Sequence, residues 1–207
     1  MKPWLCDILA CPIDKFFPLD LYIFSFETNE DEFKEIIKVY EKRDIDQIKD
    51  EKIIEIQEER GVLYLKDDIV IERSAVEVYL NLIMSNVKEV DKLHDKSSNQ
   101  LSKQCFRIIR QDIKDKLVNF VDNGEFEKIE NILPELYLIN KIKTEIEINT
   151  GLLFCEECKR WYPIIETIPQ MLPDEYRDEK AELQFLKTNK DLLDSAFFKQ
   201  NLKPFNL

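Results

Sequence analysis

A chain of 207 residues with 44% hydrophobic content supports one ordinary domain, or a small domain carrying a second. Only 3 glycines and 35% charged residues point to a helix-rich body and make a glycine-loop dinucleotide- or SAM-binding fold implausible. A net charge of −12 weighs against autonomous nucleic-acid binding, because phosphate contacts need clustered Lys and Arg.

In chain order, Pro3 to Ala10 reads as a short helix: Pro3 suits a first turn, and Trp4, Leu5, Ile8 and Leu9 share a face. Its start lacks the long apolar core of a secretory signal, and no run reaches the roughly 18 apolar residues of a membrane span. The expectation is a cytoplasmic protein without membrane partners, whose paired cysteines favour metal over disulfide. Phe16 to Phe26 is dense in aromatic and branched residues and reads as a strand. Glu30 to Glu41 carries Phe33, Ile36, Ile37 and Tyr40 at helical spacing. Residues 43–60 are ambiguous: Ile45 and Ile48 fit a helix, whereas Ile54 and Ile56 alternate. Gly61 to Leu65 is either a turn into a strand or the start of a helix.

Ser74 with Glu77 three residues on reads as a capping box, and the helix after it carries Val76, Tyr79, Leu80, Ile83 and Met84. His94, the only histidine, is placed near a helix end at the surface. After Ser97-Ser98-Asn99, the stripe Leu101, Cys105, Ile108, Ile109, Ile113, Leu117 and Val121 predicts one long helix ended at Gly124. Phe126 to Leu133 begins another, broken at Pro134. Thr144 to Ile148 alternates like a half-buried strand, Asn149-Thr150-Gly151 turns, and Leu152 to Phe154 runs as a strand into a cysteine knuckle that Lys159 to Ile164 leaves. Leu183, Phe185, Leu186, Leu192 and Leu193 suggest a C-terminal helix, with the last residues expected to be loose.

The chemistry-bearing residues sit at the two ends. Cys155 and Cys158 have the spacing of a zinc-ribbon knuckle, a tight turn aiming two thiolates at one ion. Cys11-Pro12-Ile13-Asp14 offers a second knuckle with an aspartate in the fourth position. The candidate metal ligands are therefore Cys11, Asp14, Cys155 and Cys158, and such a site would be structural rather than catalytic. Two other readings stay open: a degenerate ribbon in which packing replaces the metal, and a disulfide from Cys11 to Cys155 or Cys158. Cys6 is read as a core or interface residue and Cys105 as core. No nucleophile–base set stands out, so no catalytic residue is assigned.

Together the ends resemble the multifunctional methyltransferase subunit family, small zinc-ribbon activators of tRNA, rRNA and release-factor methyltransferases. The residues that carry the resemblance are Leu9-Ala10-Cys11-Pro12, then Gly151-Leu152, Cys155 and Cys158, Tyr162-Pro163-Ile164, Ile168-Pro169 and Met171-Leu172-Pro173. They span about 50 of 207 residues. Two positions depart from the pattern: Asp14 stands where zinc-binding members have cysteine, and Thr167, a lesser departure, where many have glycine.

The resemblance implies an α+β fold: a small zinc-ribbon-like antiparallel sheet built from both termini (1–28 and 143–175), a mainly helical insertion over 29–142, and a C-terminal helical tail over 176–207. It implies a non-catalytic role, binding SAM-dependent methyltransferases as heterodimers, with SAM held by the partner and RNA reached only indirectly. Ile168, Pro169, Met171, Leu172 and Pro173 form a short apolar segment bracketed by prolines, which suits an edge open to strand addition. Trp4, Leu5 and Ile8 would supply an apolar patch, while Leu9 and Ile164 belong to the core. The alternative is a zinc-ribbon nucleic-acid-binding or transcription-associated module, suggested by Lys159-Arg160-Trp161 on the second knuckle.

Overall fold

A computed structural model describes residues 1–207. The chain divides into two compact units. The first comprises Met1–Thr28, Lys92–Asn99 and Glu147–Leu207; the second comprises Asn29–Asp91 and Gln100–Ile146.

The first unit is built on a five-stranded sheet. Its strands are β1 (Asp20–Phe26), β5 (Leu93–Asp95), β6 (Ile148–Phe154), β7 (Trp161–Ile165) and β8 (Ile168–Pro169), in the order β5-β1-β6-β7-β8. β1 lies antiparallel to β6, pairing Leu21 with Leu153 and Ile23 with Gly151. β6 pairs antiparallel with β7, placing Leu153 beside Tyr162 and Gly151 beside Ile164. β5 adds to β1 in parallel, so the sheet is mixed rather than purely antiparallel. His94 lies in this strand, not at a helix end; its ring stacks on Tyr22 at 4.7 Å, and Nε2 stands 3.4 Å from Asp20 Oδ1.

Gly151 sits where only glycine fits: a Cβ there would stand 2.7 Å from the Tyr22 carbonyl oxygen of the neighbouring strand. One sheet face is sealed by the C-terminal segment. Helix α7 (Glu179–Thr188), helix α8 (Ser195–Phe198) and the final residues bring Leu186, Leu193, Phe197 and Leu202 against Phe24, Leu152, Phe154 and Trp161. The last residues are therefore not loose. Leu202 is buried, Trp161 Nε1 donates to the Phe205 carbonyl at 3.1 Å, and Lys203 N–H donates to the Lys159 carbonyl at 2.9 Å. Arg177 is stacked among Trp161, Tyr162 and Phe205 and pairs with Glu182.

The second unit is mainly helical and also contains a three-stranded sheet. Its helices are α1 (Glu30–Lys42), α2 (Ile45–Glu51), α3 (Val76–Glu89), α4 (Gln100–Ile108), α5 (Lys114–Asn123) and α6 (Leu133–Asn140). The sheet runs β2-β3-β4, from β2 (Glu55–Glu59), β3 (Val62–Lys66) and β4 (Ser74–Ala75). Asn29 and Asp44 cap α1 and α2 by accepting from the N–H groups of Glu32 and Gln47. Ser74 does not cap α3: it belongs to β4 and its hydroxyl donates to the Glu72 carbonyl, so no capping box forms. The long amphipathic stretch after Asn99 is helical to Asn123, with a π-turn over Ile109–Ile113, and Gly124 closes it at φ 66°. Pro134 opens α6 instead of breaking a helix, because a first-turn residue needs no N–H partner. Glu135, fully buried on α6, is held by Arg43 Nη1 and Lys116 Nζ, each at 2.8 Å. Residues 144–147 are not strand; a π-turn over Lys141–Glu145 ends α6, and β6 starts at Ile148.

Candidate metal centre and partner edge

Two knuckles from opposite ends of the chain meet in the first unit. After a short 3-10 helix (Pro3–Asp7), Cys11 enters a turn in which Lys15 N–H donates to the Cys11 carbonyl at 2.9 Å. Lys15 takes φ 64° to close it. The second knuckle repeats the device: Lys159 N–H donates to the Cys155 carbonyl at 2.9 Å, and Lys159 takes φ 61°. The pattern Cys-x-x-X is thus what the turn requires, with side chains one and four on the same side.

The ligand atoms of Cys11, Asp14, Cys155 and Cys158 all lie within 4.8 Å of one another. Cys11 Sγ stands 3.6 Å from Cys158 Sγ, and Cys155 Sγ stands 3.4 Å from Asp14 Oδ2. A tetrahedral zinc ion, with Zn–S of about 2.3 Å and Zn–O of about 2.0 Å, separates two thiolates by about 3.8 Å and a thiolate from a carboxylate oxygen by about 3.5 Å. The donor set therefore fits a closed site of three thiolates and one carboxylate. None of the five cysteines is in a disulfide, and the Cys11–Cys158 separation is that of unbonded sulfurs.

The electrostatics fit as well. Burial pushes the Cys155 and Cys158 thiols up, so without a cation both stay protonated; a divalent ion reverses that preference. Desolvation is the largest single effect on Asp14 and works upward, but the Phe16 N–H and the three surrounding thiols together outweigh it and hold the carboxyl down at about 2. The supporting groups were less visible in sequence. Tyr162, buried on β7, places its hydroxyl 3.2 Å from Cys11 Sγ, a donor for a thiolate. Arg160 follows the second knuckle and is locked by Asp174, Nη2 to Oδ2 at 2.8 Å. That pairing lowers Asp174 and raises Arg160.

Beyond the knuckles lies the β7–β8 hairpin. Its two-residue turn, Glu166-Thr167, has φ 48° and 68°, left-handed at both positions. The threonine that replaces the family's glycine is therefore a costlier departure than its place in the sequence suggests. β8 is the edge of the sheet. Gln170 N–H is spent on the Pro163 carbonyl at 2.8 Å, whereas the N–H groups of Met171 and Leu172 find no partner within the chain. Ile168 is 59% exposed and Leu172 43%, while Pro169, Met171 and Pro173 are half-buried. In the same unit Ile8 is 65% exposed and Trp4 38%, with Leu5 and Leu9 half-buried and Ile164 buried. Ile13, Phe17 and Ile165 also stand in solvent, apolar exposures that the sequence pattern did not single out.

A model of the Trm112p-like protein family matches residues 2–166, which takes in both knuckles, the whole second unit and the β7 strand. The chain belongs to the Trm112p-like family. Members of this family are activators of tRNA, rRNA and release-factor methyltransferases. The chain matches no curated protein sequence and no solved structure. Residues 167–207, with α7 and α8, lie outside the family match, yet they seal a face of the Trm112p-like sheet. No helix is long and apolar enough to cross a membrane.

The basic and aromatic residues of the second knuckle are largely engaged within the chain. Arg160, partly open, is committed to Asp174, Trp161 is fully buried against the C-terminal segment, and Lys159, also partly open, is laid over the Phe154 ring at 5.8 Å.

Proposed function

We propose that this chain is a non-catalytic activating subunit that pairs one-to-one with cytoplasmic SAM-dependent methyltransferases acting on tRNA, rRNA or a translation release factor. The observation that carries the reading is the open edge of the sheet. Ile168 is more than half exposed on β8, next to backbone N–H groups without partners at Met171 and Leu172. A partner strand laid along Ile168 to Pro173 would satisfy those donors and cover Ile168 and Leu172. Trp4, Leu5 and Ile8 supply further apolar area in the same unit.

In this reading SAM and the reacting atoms belong to the partner, and RNA is contacted through it. Cys11, Asp14, Cys155 and Cys158 hold zinc as a structural ion. It supplies no reaction chemistry in a closed four-ligand site; it ties the N-terminal knuckle to the β6–β7 knuckle.

The test is Ile168→Asp. The side chain is exposed in the free chain, so the variant folds; in the complex it leaves a desolvated carboxylate without a counter-charge, weakening the complex by about 100-fold or more. Affinity is read by calorimetry against the methyltransferase that copurifies with the wild-type chain. Binding at full strength would remove the edge from the interface.

A further inference from the structure

The second unit carries an open groove of about 560 Å3 bounded by the β2–β3 hairpin, the start of α3 and the segment that follows α5. Its apolar surface includes Val62, Val78 and Phe126, with Val62 42% and Val78 53% exposed. Its rim is acidic. Glu58 on β2, Glu77 on α3 and Glu127 after α5 all line it, all are exposed, and none takes part in an ion pair. No Lys or Arg lines the groove. Of the nearby cations, Arg73 pairs with Glu59 at 2.7 Å and Lys128 with Glu125 at 2.8 Å, while Arg60, beside Gly61, makes no ion pair and does not line the groove. Gly61 and Gly124, which also line it, keep the backbone bare: a Cβ at either would meet nothing within 4 Å.

Two features define the occupant. The apolar surface calls for a hydrophobic anchor, and the uncompensated carboxylates call for positive charge. The carboxylates come from separate elements, so they suit several cations spread around an anchor rather than one compact cation. The lining holds no buried polar side chain of the kind that orients a small ligand. A second copy of this chain, at net charge −12, would bring like charge to like.

We propose that this groove is a docking site for a short basic peptide segment, an apolar side chain flanked by Lys or Arg. The groove is made by residues of the second unit alone and the sheet edge by residues of the first, so the proposal survives or fails independently of the methyltransferase reading.

The experiment uses the full chain and two fluorescein-labelled peptides, Lys-Arg-Leu-Phe-Lys-Arg and the charge-matched Lys-Arg-Ser-Ser-Lys-Arg, followed by anisotropy in about 0.15 M salt. The expected result is saturable binding of the first peptide, weakened about tenfold in the variant E58Q/E77Q/E127Q. The control E166Q/E175Q/D191N, which removes exposed carboxylates of the first unit, shifts it less than about twofold, and the serine peptide binds at least about tenfold more weakly. Circular dichroism confirms that both triple variants fold. Equal losses in the two variants, equal affinity of the two peptides, or no saturable binding up to about 1 mM would each overturn the proposal.

Discussion

Replacing Thr167 with glycine is expected to stabilise the first unit. The residue stands in the two-residue β7–β8 turn at φ 68°, with Glu166 at φ 48° before it. In that region a Cβ crowds the backbone and costs about 1–2 kcal/mol, and a β-branched side chain sits at the upper end. Glycine removes this strain and adds about 0.5–1 kcal/mol of unfolded-state entropy to be lost on folding. The bond from the residue 167 N–H to the Asn149 carbonyl, 2.9 Å, does not involve the side chain and is kept. The strain relief is the larger effect, leaving a net gain of about 1 kcal/mol. For a unit of this size that raises the midpoint of thermal unfolding by about 2–6 °C. Trp161 fluorescence reads the right transition, since Trp161 is fully buried beneath the C-terminal segment. Thr150→Gly in the extended strand β6 is the matched control, where glycine brings the entropy cost without strain relief and lowers the midpoint. A fall in the Thr167→Gly midpoint comparable to that of the control would refute the argument from backbone strain.

Gly151→Ala puts a methyl 2.7 Å from a backbone oxygen of β1, which cannot rotate away; a loss of about 3 kcal/mol in urea titration is expected, and an unchanged midpoint would mean that the strands part freely there. Phe197→Ala removes a buried ring packed edge-on against Phe154 at 5.2 Å and Tyr22 at 5.6 Å, at a cost of about 3–5 kcal/mol. Its check is an earlier and red-shifted Trp161 unfolding transition, and stability equal to wild type would show that the tail is not a working part of the unit. Cys155→Ser removes one of the four clustered ligands, so elemental analysis should find about one zinc per wild-type chain and almost none in the variant. Chelation should then lower the wild-type midpoint and leave the variant unmoved; equal metal content in the two would dissolve the zinc assignment.

The ends of the molecule were more legible in sequence than its middle. A Cys-x-x-X knuckle is a local pattern, and the turn that makes it is the turn that aims its ligands, so Cys11, Asp14, Cys155 and Cys158 could be placed together from spacing and resemblance. β2 was hard to read because Glu55-Ile56-Gln57-Glu58-Glu59 is almost wholly exposed and gives little apolar alternation. β5 was hidden for a different reason: Leu93-His94-Asp95 is too short to show a period, and its parallel pairing with β1 is a tertiary fact. Ser74 satisfied the capping pattern, but a strand bridge to Leu65 claimed it. Tyr162 and Arg177 matter through what they touch, Cys11 in one case and three aromatic rings in the other, and such contacts leave no mark on local sequence.

The joining of the two ends also sets an order of events during synthesis. The Met1 amino group bonds the Ile148 carbonyl across 147 residues, and Cys11 meets Tyr162 across 151. β1 emerges from the ribosome early and finds its antiparallel neighbour only when β6 appears. The second unit, completed before then, can fold while β1 still lacks β6. Contacts of such long range close slowly, and an apolar strand such as Leu21-Tyr22-Ile23-Phe24 is exposed to aggregation while it waits. Yield from the ribosome should therefore respond more sharply to the elongation time between residues 26 and 148 than to the final stability of the sheet.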